Sequence, residues 1–264
     1  MVMPLELDNS FFNKIDPFSP PLEIWEKREP TEVEIDELLS RGEWRPCCQI
    51  KVKIDSILNS AHDAAKLIAR NKDENRIDHH VISYLERNME YKKWRKGMPH
   101  PTPRQLIDYQ ENYPPKDFEV INSLISRHGM LIPEGQVLFH GGIWPLDEMG
   151  GQVKSFLTNR VISTSFCPKV ALNNGDWRGK AYDAGRIDLM VITIKNIDKK
   201  AFVFSLDEGT NSHEMEVLFE RGVQLNIVSS SAVNLHFKTC KSTSASDIDC
   251  KFIAVNVLQI EMIQ

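Results

Sequence analysis

Asn211-Ser-His-Glu-Met-Glu-Val-Leu-Phe-Glu-Arg-Gly222 sets two carboxylates, Glu214 and Glu216, at the edge of an apolar run. Read as a strand, it alternates Met215, Val217 and Phe219 with Glu214, Glu216 and Leu218, so both glutamates fall on one face. Two carboxylates facing one space suit a reaction in which one acid stabilises a developing cation and the other orients or deprotonates a nucleophile. Glu-x-Glu alone also occurs on solvated strand faces, so its meaning depends on what surrounds it.

The 264 residues are 41% hydrophobic and 26% charged, an ordinary soluble globular composition. A net charge of −5 argues against a dedicated nucleic-acid binder. No run of about 18 apolar residues is present, so no membrane span is expected. The start, Met-Val-Met-Pro-Leu-Glu-Leu-Asp, lacks a basic region followed by an apolar core, so no cleaved secretory signal is expected. The five cysteines are odd in number and lack paired metal-ligand spacing, which predicts free thiols in a reducing cytosol. His213-Glu214 does not open a zinc motif, because Val217 stands where a second histidine is required. No metal is expected.

Outward from the Glu-x-Glu run, the chain divides into an extended Pro-rich arm (1–30), a helical region (31–116) and a domain over 117–264. The arm carries Phe11, Phe12, Phe18 and Trp25 as candidates for packing on a neighbouring surface. Thr31-Glu-Val-Glu34 is a capping box that predicts a helix ending near Arg41-Gly42. Further helices are expected over 50–69, 78–96, from Pro101 and over 117–127. Within the helix over 78–96, Lys92-Lys-Trp-Arg-Lys96 fits either a solvated helix end or a contact with an acidic partner or a phosphate backbone. After Pro133 seven β-rich runs follow: 137–140, 160–166, 189–194, 201–204, 216–219, 224–228 and 252–258. Lys241-Ser-Thr-Ser-Ala-Ser246 reads as a polar loop between the last two. The fold class expected is α+β: helices packed on a mixed β domain of two sheets enclosing a cleft.

Three motifs fall on those strands. Val137-Leu-Phe-His-Gly-Gly142 ends a strand in a ring nitrogen and two glycines, where backbone can approach a ligand closely. Ile162-Ser-Thr-Ser165 places two serines on one face, where a hydroxyl can hold a carboxylate. The third is Glu214-Met-Glu216 with its preceding loop 205–213. In this order the set resembles the mono-ADP-ribosyltransferase family, in particular its arginine-modifying, cholera-toxin-like branch. The resemblance covers residues from about 117 to 264.

The resemblance implies an ADP-ribosyltransferase fold, with NAD as substrate and a target protein as acceptor. It implies that Ser163 orients the catalytic glutamate, that Glu216 contacts the nicotinamide ribose, and that Glu214 engages an acceptor guanidinium. It also implies that the loop before Glu214 recognises the target. His140, Gly141, Thr164 and Ser165 become NAD-contacting candidates. One departure stands out: the arginine-modifying branch opens its first motif with Arg, where this chain has His140. Imidazole cannot grip a phosphate bidentately, so Arg160 and Arg178 are candidates for that role, with surface placement as the alternative for each. Trp144 and Trp177 can stack on nicotinamide or adenine, or belong to the core. Relatives of this kind are bacterial toxins, injected effectors or phage enzymes, which implies virulence or effector roles, delivery by a non-classical route and, in some cases, an activating partner protein. An inactive NAD-binding module, an NAD glycohydrolase and a transferase acting on nucleic acid stay open as alternatives.

Overall fold

The computed structural model describes residues 12–70, 76–242 and 247–264. Phe11 and residues 243–246 of the expected polar loop lie outside them. In chain order the elements are β1 (Leu22–Arg28), α1 (Glu32–Ser40), β2 (Ile50–Leu58), α2 (Ala61–Ala69), α3 (Ile77–Arg87), α4 (Met89–Lys96), α5 (Arg104–Glu111) and α6 (Phe118–His128). There follow β3 (Val137–Gly142), β4 (Ser155–Leu157), β5 (Ile162–Ser165), α7 (Pro168–Asp176), α8 (Lys180–Ala184), β6 (Arg186–Ile194), β7 (Ala201–Val203), β8 (Glu216–Phe219), β9 (Gln224–Ser242) and β10 (Ile248–Ile263).

The capping box forms: Glu34 N–H donates to the Thr31 hydroxyl while the Thr31 N–H donates to the Glu34 carboxylate at 2.8 Å. Two expectations for this half need correction. Residues 50–69 are not one helix but strand β2 followed by α2, because Ile50, Val52 and Ile54 alternate with Lys51, Lys53 and Asp55 at the strand period and Ser60 caps a new helix. The strand pairs antiparallel with β1, so the Pro-rich arm ends in regular structure. The helix expected over 78–96 breaks at Asn88, whose side chain accepts from Tyr91 N–H at 2.9 Å and starts α4.

Eight strands form a mixed sheet in the order β4-β9-β10-β6-β3-β5-β8-β7, and β1 and β2 form a second, two-stranded sheet. β6 and β10 run parallel; the other pairs in the large sheet are antiparallel. β3 pairs with β6 along its whole length but meets β5 only at Phe139↔Ser165. The sheet therefore opens at this seam, between a five-stranded and a three-stranded portion. The fold class is α+β.

The helices and the arm close over that seam. Tyr91 and Trp94 of α4 each lie 6.1 Å from the ring of Phe166 just after β5. Phe18 meets Phe139 of β3 edge-on at 6.4 Å. Gln136 is buried, and its amide pairs with both the N–H and the C=O of Ile15 at 2.8 Å, fixing the arm as an extra strand would. One apolar cluster runs from Ile15 through the helices to Met262. The basic cluster on α4 is divided by this packing. Trp94 is fully buried, and Arg95 turns inward to the Val203 carbonyl, so it is not a uniformly solvated patch.

The free-thiol expectation fails at one pair. Cys240 and Cys250 sit opposite each other on β9 and β10 and form a disulfide, while Cys47, Cys48 and Cys167 stay outside any disulfide. Ten residues of sequence separate them, and only the hairpin brings them together. Among the described residues no helix is long and apolar enough to cross a membrane.

Candidate active site

A cleft of about 750 Å³ opens at the β3/β5 seam, within the size range of small-molecule sites. Its lining includes His140, Ser163, Glu214 and Glu216, together with Tyr109, Gln110 and Tyr113 from the α5 region. The three sequence motifs thus converge, and the helical half adds a fourth wall.

Glu216 opens β8, where its backbone pairs with Ser165 of β5. Its side chain is buried, and its carboxyl is pushed up to about 8, first by desolvation and then by the neighbouring charge of Glu214; hydrogen bonds from Ser163 and Gln110 pull the other way. The Gln110 amide nitrogen donates to Glu216 Oε2 at 3.1 Å. Glu214 does not share the strand, which corrects the alternation expected from the sequence. It ends a 3₁₀ turn over Ser212–Glu214, and Met215 in the left-handed region (φ 50°) turns the chain into β8. The carboxylates meet in the cleft by way of this turn. Burial raises the Glu214 carboxyl above its ordinary value, against the pull of His213 and a hydrogen bond from Asn174.

The Ser-Thr-Ser hydroxyls divide their work. Ser163 reaches Glu216. Thr164 donates to the Val217 carbonyl at 2.7 Å, locking β5 to β8. Ser165 donates to the Glu214 carbonyl at 2.7 Å and accepts from Cys167 N–H at 3.0 Å, holding both the turn and the start of α7. The last two hydroxyls are therefore spent on backbone, although both residues line the cleft.

His140 Nδ1 lies 2.6 Å from the Ser163 carbonyl. A carbonyl only accepts, so Nδ1 carries the proton and Nε2 of the neutral ring is an acceptor. Burial lowers the ring's pKa, and Lys180 and Arg160 lower it further against the effect of that hydrogen bond, so it is neutral at pH 7. Gly141 has a packing role that the sequence did not suggest. A Cβ there would lie 1.8 Å from the Ala171 carbonyl oxygen, so its bare backbone is what lets α7 lie against β3.

Of the two candidate arginines, Arg160 lines the cleft and donates to Tyr113 Oη at 3.0 Å. Arg178 does not line it; its guanidinium stacks 4.0 Å over the Trp177 ring. The stretch from Pro168 to Arg186, which holds Arg178, is mostly helix (α7 and α8). Trp177 borders the cleft, whereas Trp144 is fully buried against Phe156 and belongs to the core.

Residues not anticipated from the sequence are Tyr109, Gln110, Tyr113, Asn174 and Lys180. Lys180 sits near Arg160 and Arg178, and its pKa is lowered by burial and by those two cations. Helix α5 also anchors the loop before Glu214: Thr210 N–H and hydroxyl donate to Glu111 at 3.1 and 3.0 Å, and Asn211 donates to the Gln110 carbonyl at 2.8 Å. Among the described residues no group of three His, Cys, Asp or Glu side chains could hold a metal ion.

No family model matches the chain, and no curated protein matches it. Solved structures do. The chain is similar to the enzymatic component C2-I of the C2-toxin from Clostridium botulinum, at 12% identity and a TM-score of 0.36, over 66% of this chain and 46% of that one. It is similar to Plx2a, an ADP-ribosyltransferase toxin from Paenibacillus larvae, at 10% identity and a TM-score of 0.41, over 71% of this chain and 96% of that one. It is also similar to the ADP-ribosyltransferase Vis in complex with agmatine, at 13% identity and a TM-score of 0.34, over 90% of this chain and 88% of that one. The chain spans less than half the length of the C2-toxin component it matches.

Proposed function

We propose that the chain is a mono-ADP-ribosyltransferase that transfers ADP-ribose from NAD to a target protein, on arginine, and releases nicotinamide. The observation that carries this reading is the convergence of Glu214, Glu216, Ser163 and His140 on one cleft at the β3/β5 seam.

Breaking the bond between nicotinamide and ribose places positive charge on the ribose carbon, and a carboxylate beside it lowers the barrier. Glu216 takes this role, held by Ser163 and Gln110. Its carboxyl is largely protonated at neutral pH in the free protein, and the cationic nicotinamide ring favours the ionised form on binding. Nicotinamide leaves with the bond's electron pair. A guanidinium nitrogen of the acceptor then bonds to the ribose carbon, and Glu214 accepts the proton it sheds. His140 Nε2 accepts from a ribose hydroxyl or from the carboxamide N–H of the substrate. Arg160 offers charge for the diphosphate, and Tyr113 and Trp177 offer ring faces.

NAD labelled in its ADP-ribose part, incubated with the protein and a cell lysate, tests the transfer. The proposal expects label on a protein, lost with Glu214→Ala. Free ADP-ribose alone would make the enzyme a glycohydrolase, and label on nucleic acid would replace the protein acceptor.

A further inference from the structure

β10 pairs with β6 only from Ala254 onward, so its first residues, 248–253, have β9 as their strand partner and no other among the described residues. The far end of the β9–β10 hairpin is thus a two-stranded projection, and two strands alone are marginally stable in water. Two devices hold it. The Cys240–Cys250 disulfide staples the strands to each other, and the residues flanking each cysteine fasten them to the neighbouring segment 176–184. Lys241 faces Asp249 and Thr239 faces Lys251 across the ladder, so these four side chains share one face and the cysteines take the other. Thr239 donates to Asp176 at 2.5 Å, and Lys241 pairs with Asp183 at 2.6 Å. Asp249 accepts from the Tyr182 hydroxyl, and the Lys251 ammonium lies 4.4 Å from the centre of the Tyr182 ring. Gly179, in the left-handed region (φ 71°), permits so close an approach that a Cβ there would stand 2.8 Å from Lys241 Cγ.

The segment so held carries Trp177 and Lys180, which line the cleft, whereas none of the described residues of the hairpin end does. The hairpin therefore acts on the cleft at one remove. Both cysteines are exposed, so a thiolate in solution can reach their sulfurs. Resting on the transferase reading above, we propose that this disulfide is a thiol-sensitive fastening of the NAD cleft. Intact, it keeps the hairpin end ordered and the wall 177–184 in place. A dithiol reductant gives up two electrons and two protons, the S–S bond becomes two thiols, and the reductant closes into its own disulfide. The reduced hairpin end then frays, the contacts to Asp176, Tyr182 and Asp183 open, and the wall that Trp177 and Lys180 supply is no longer preformed for NAD.

The test compares the full chain untreated and after dithiothreitol, together with the untreated Cys240→Ser/Cys250→Ser variant. NAD dissociation constants come from calorimetry, and amide hydrogen exchange is read by mass spectrometry. If the fastened form drops to about a tenth of the molecules on reduction, apparent NAD affinity falls about tenfold. Exchange over 177–184 quickens by about the same factor, while α6, remote from the hairpin, keeps its rate. The double variant matches the reduced protein and does not respond further to dithiothreitol. A reduced chain that binds NAD as tightly as the oxidised one overturns the proposal and leaves the transferase reading standing, and so does unchanged exchange over 177–184. A response to dithiothreitol that persists in the double variant assigns the effect to Cys47, Cys48 or Cys167 and overturns it as well. An oxidised chain that binds no NAD overturns both readings. Because the oxidised and reduced proteins share one sequence, their comparison decides the matter even where the double variant fails to fold.

Discussion

Replacing Glu216 with Gln should stabilise the protein at alkaline pH. The Glu216 carboxyl is raised from 4.5 to about 8 in the folded state, chiefly by burial. Between those values the folded chain holds a proton that the unfolded chain releases, so stability falls as pH rises through this window. Below pH 4.5 both states are protonated and nothing is lost; above pH 8 both are ionised and the loss is complete. The span of about 3.5 pKa units corresponds to about 5 kcal/mol at 1.36 kcal/mol per unit. Water entering the cleft reduces this to about 2–5 kcal/mol. Glutamine has nearly the same shape and stays neutral. Urea unfolding followed by circular dichroism at pH 5, 7 and 9 should show Glu216→Gln close to wild type at pH 5 and more stable by that amount at pH 9. A difference that stays within about 0.5 kcal/mol across the range would refute the reasoning.

In the rate of NAD cleavage, kcat/KM should rise with pH toward about 8, because Glu216 acts ionised. Glu214→Gln should move that limb to lower pH, since the Glu214 charge raises the Glu216 carboxyl; an unmoved limb would separate the two groups. Gly141→Ala should cost about 3 kcal/mol or more in urea unfolding, because its Cβ meets the Ala171 carbonyl and α7 must shift. His140→Phe keeps the ring but loses the Nε2 acceptor and the bond to Ser163, and should weaken NAD binding about tenfold or more in calorimetry. Thiol labelling of the denatured, unreduced chain should find Cys47, Cys48 and Cys167 and miss Cys240 and Cys250; five labelled cysteines would exclude the disulfide.

The sequence was most informative where chemistry is local. The Thr31–Glu34 capping box formed, and β8 begins and ends as its apolar run suggests. Val52, Ile54, Ile57 and Leu58 meet helical spacing loosely and so disguise strand β2, whereas Lys51 and Lys53 on either side of Val52 mark a two-residue period. Strand β9 continues through Ser229–Ser231, whose polar side chains hide a solvent-facing strand from any search for apolar runs. Both glutamates are legible in the Glu-x-Glu run, but the left-handed turn at Met215, rather than strand alternation, brings Glu214 to Glu216. Gln110 and the Cys240–Cys250 pair depend on partners that only tertiary packing brings near, and no local spacing announces either. Gly141 was legible as a place of close approach, but what approaches is helix α7.

The measurement that bears most directly on the central claim is nicotinamide release from NAD by the purified protein at pH 8.5, wild type against Glu216→Gln. The account predicts release by the wild type and a loss on the order of 100-fold or more in the variant, with NAD affinity changed far less. Equal release by both proteins, or NAD left intact by the wild type in the presence of lysate acceptors, would contradict it.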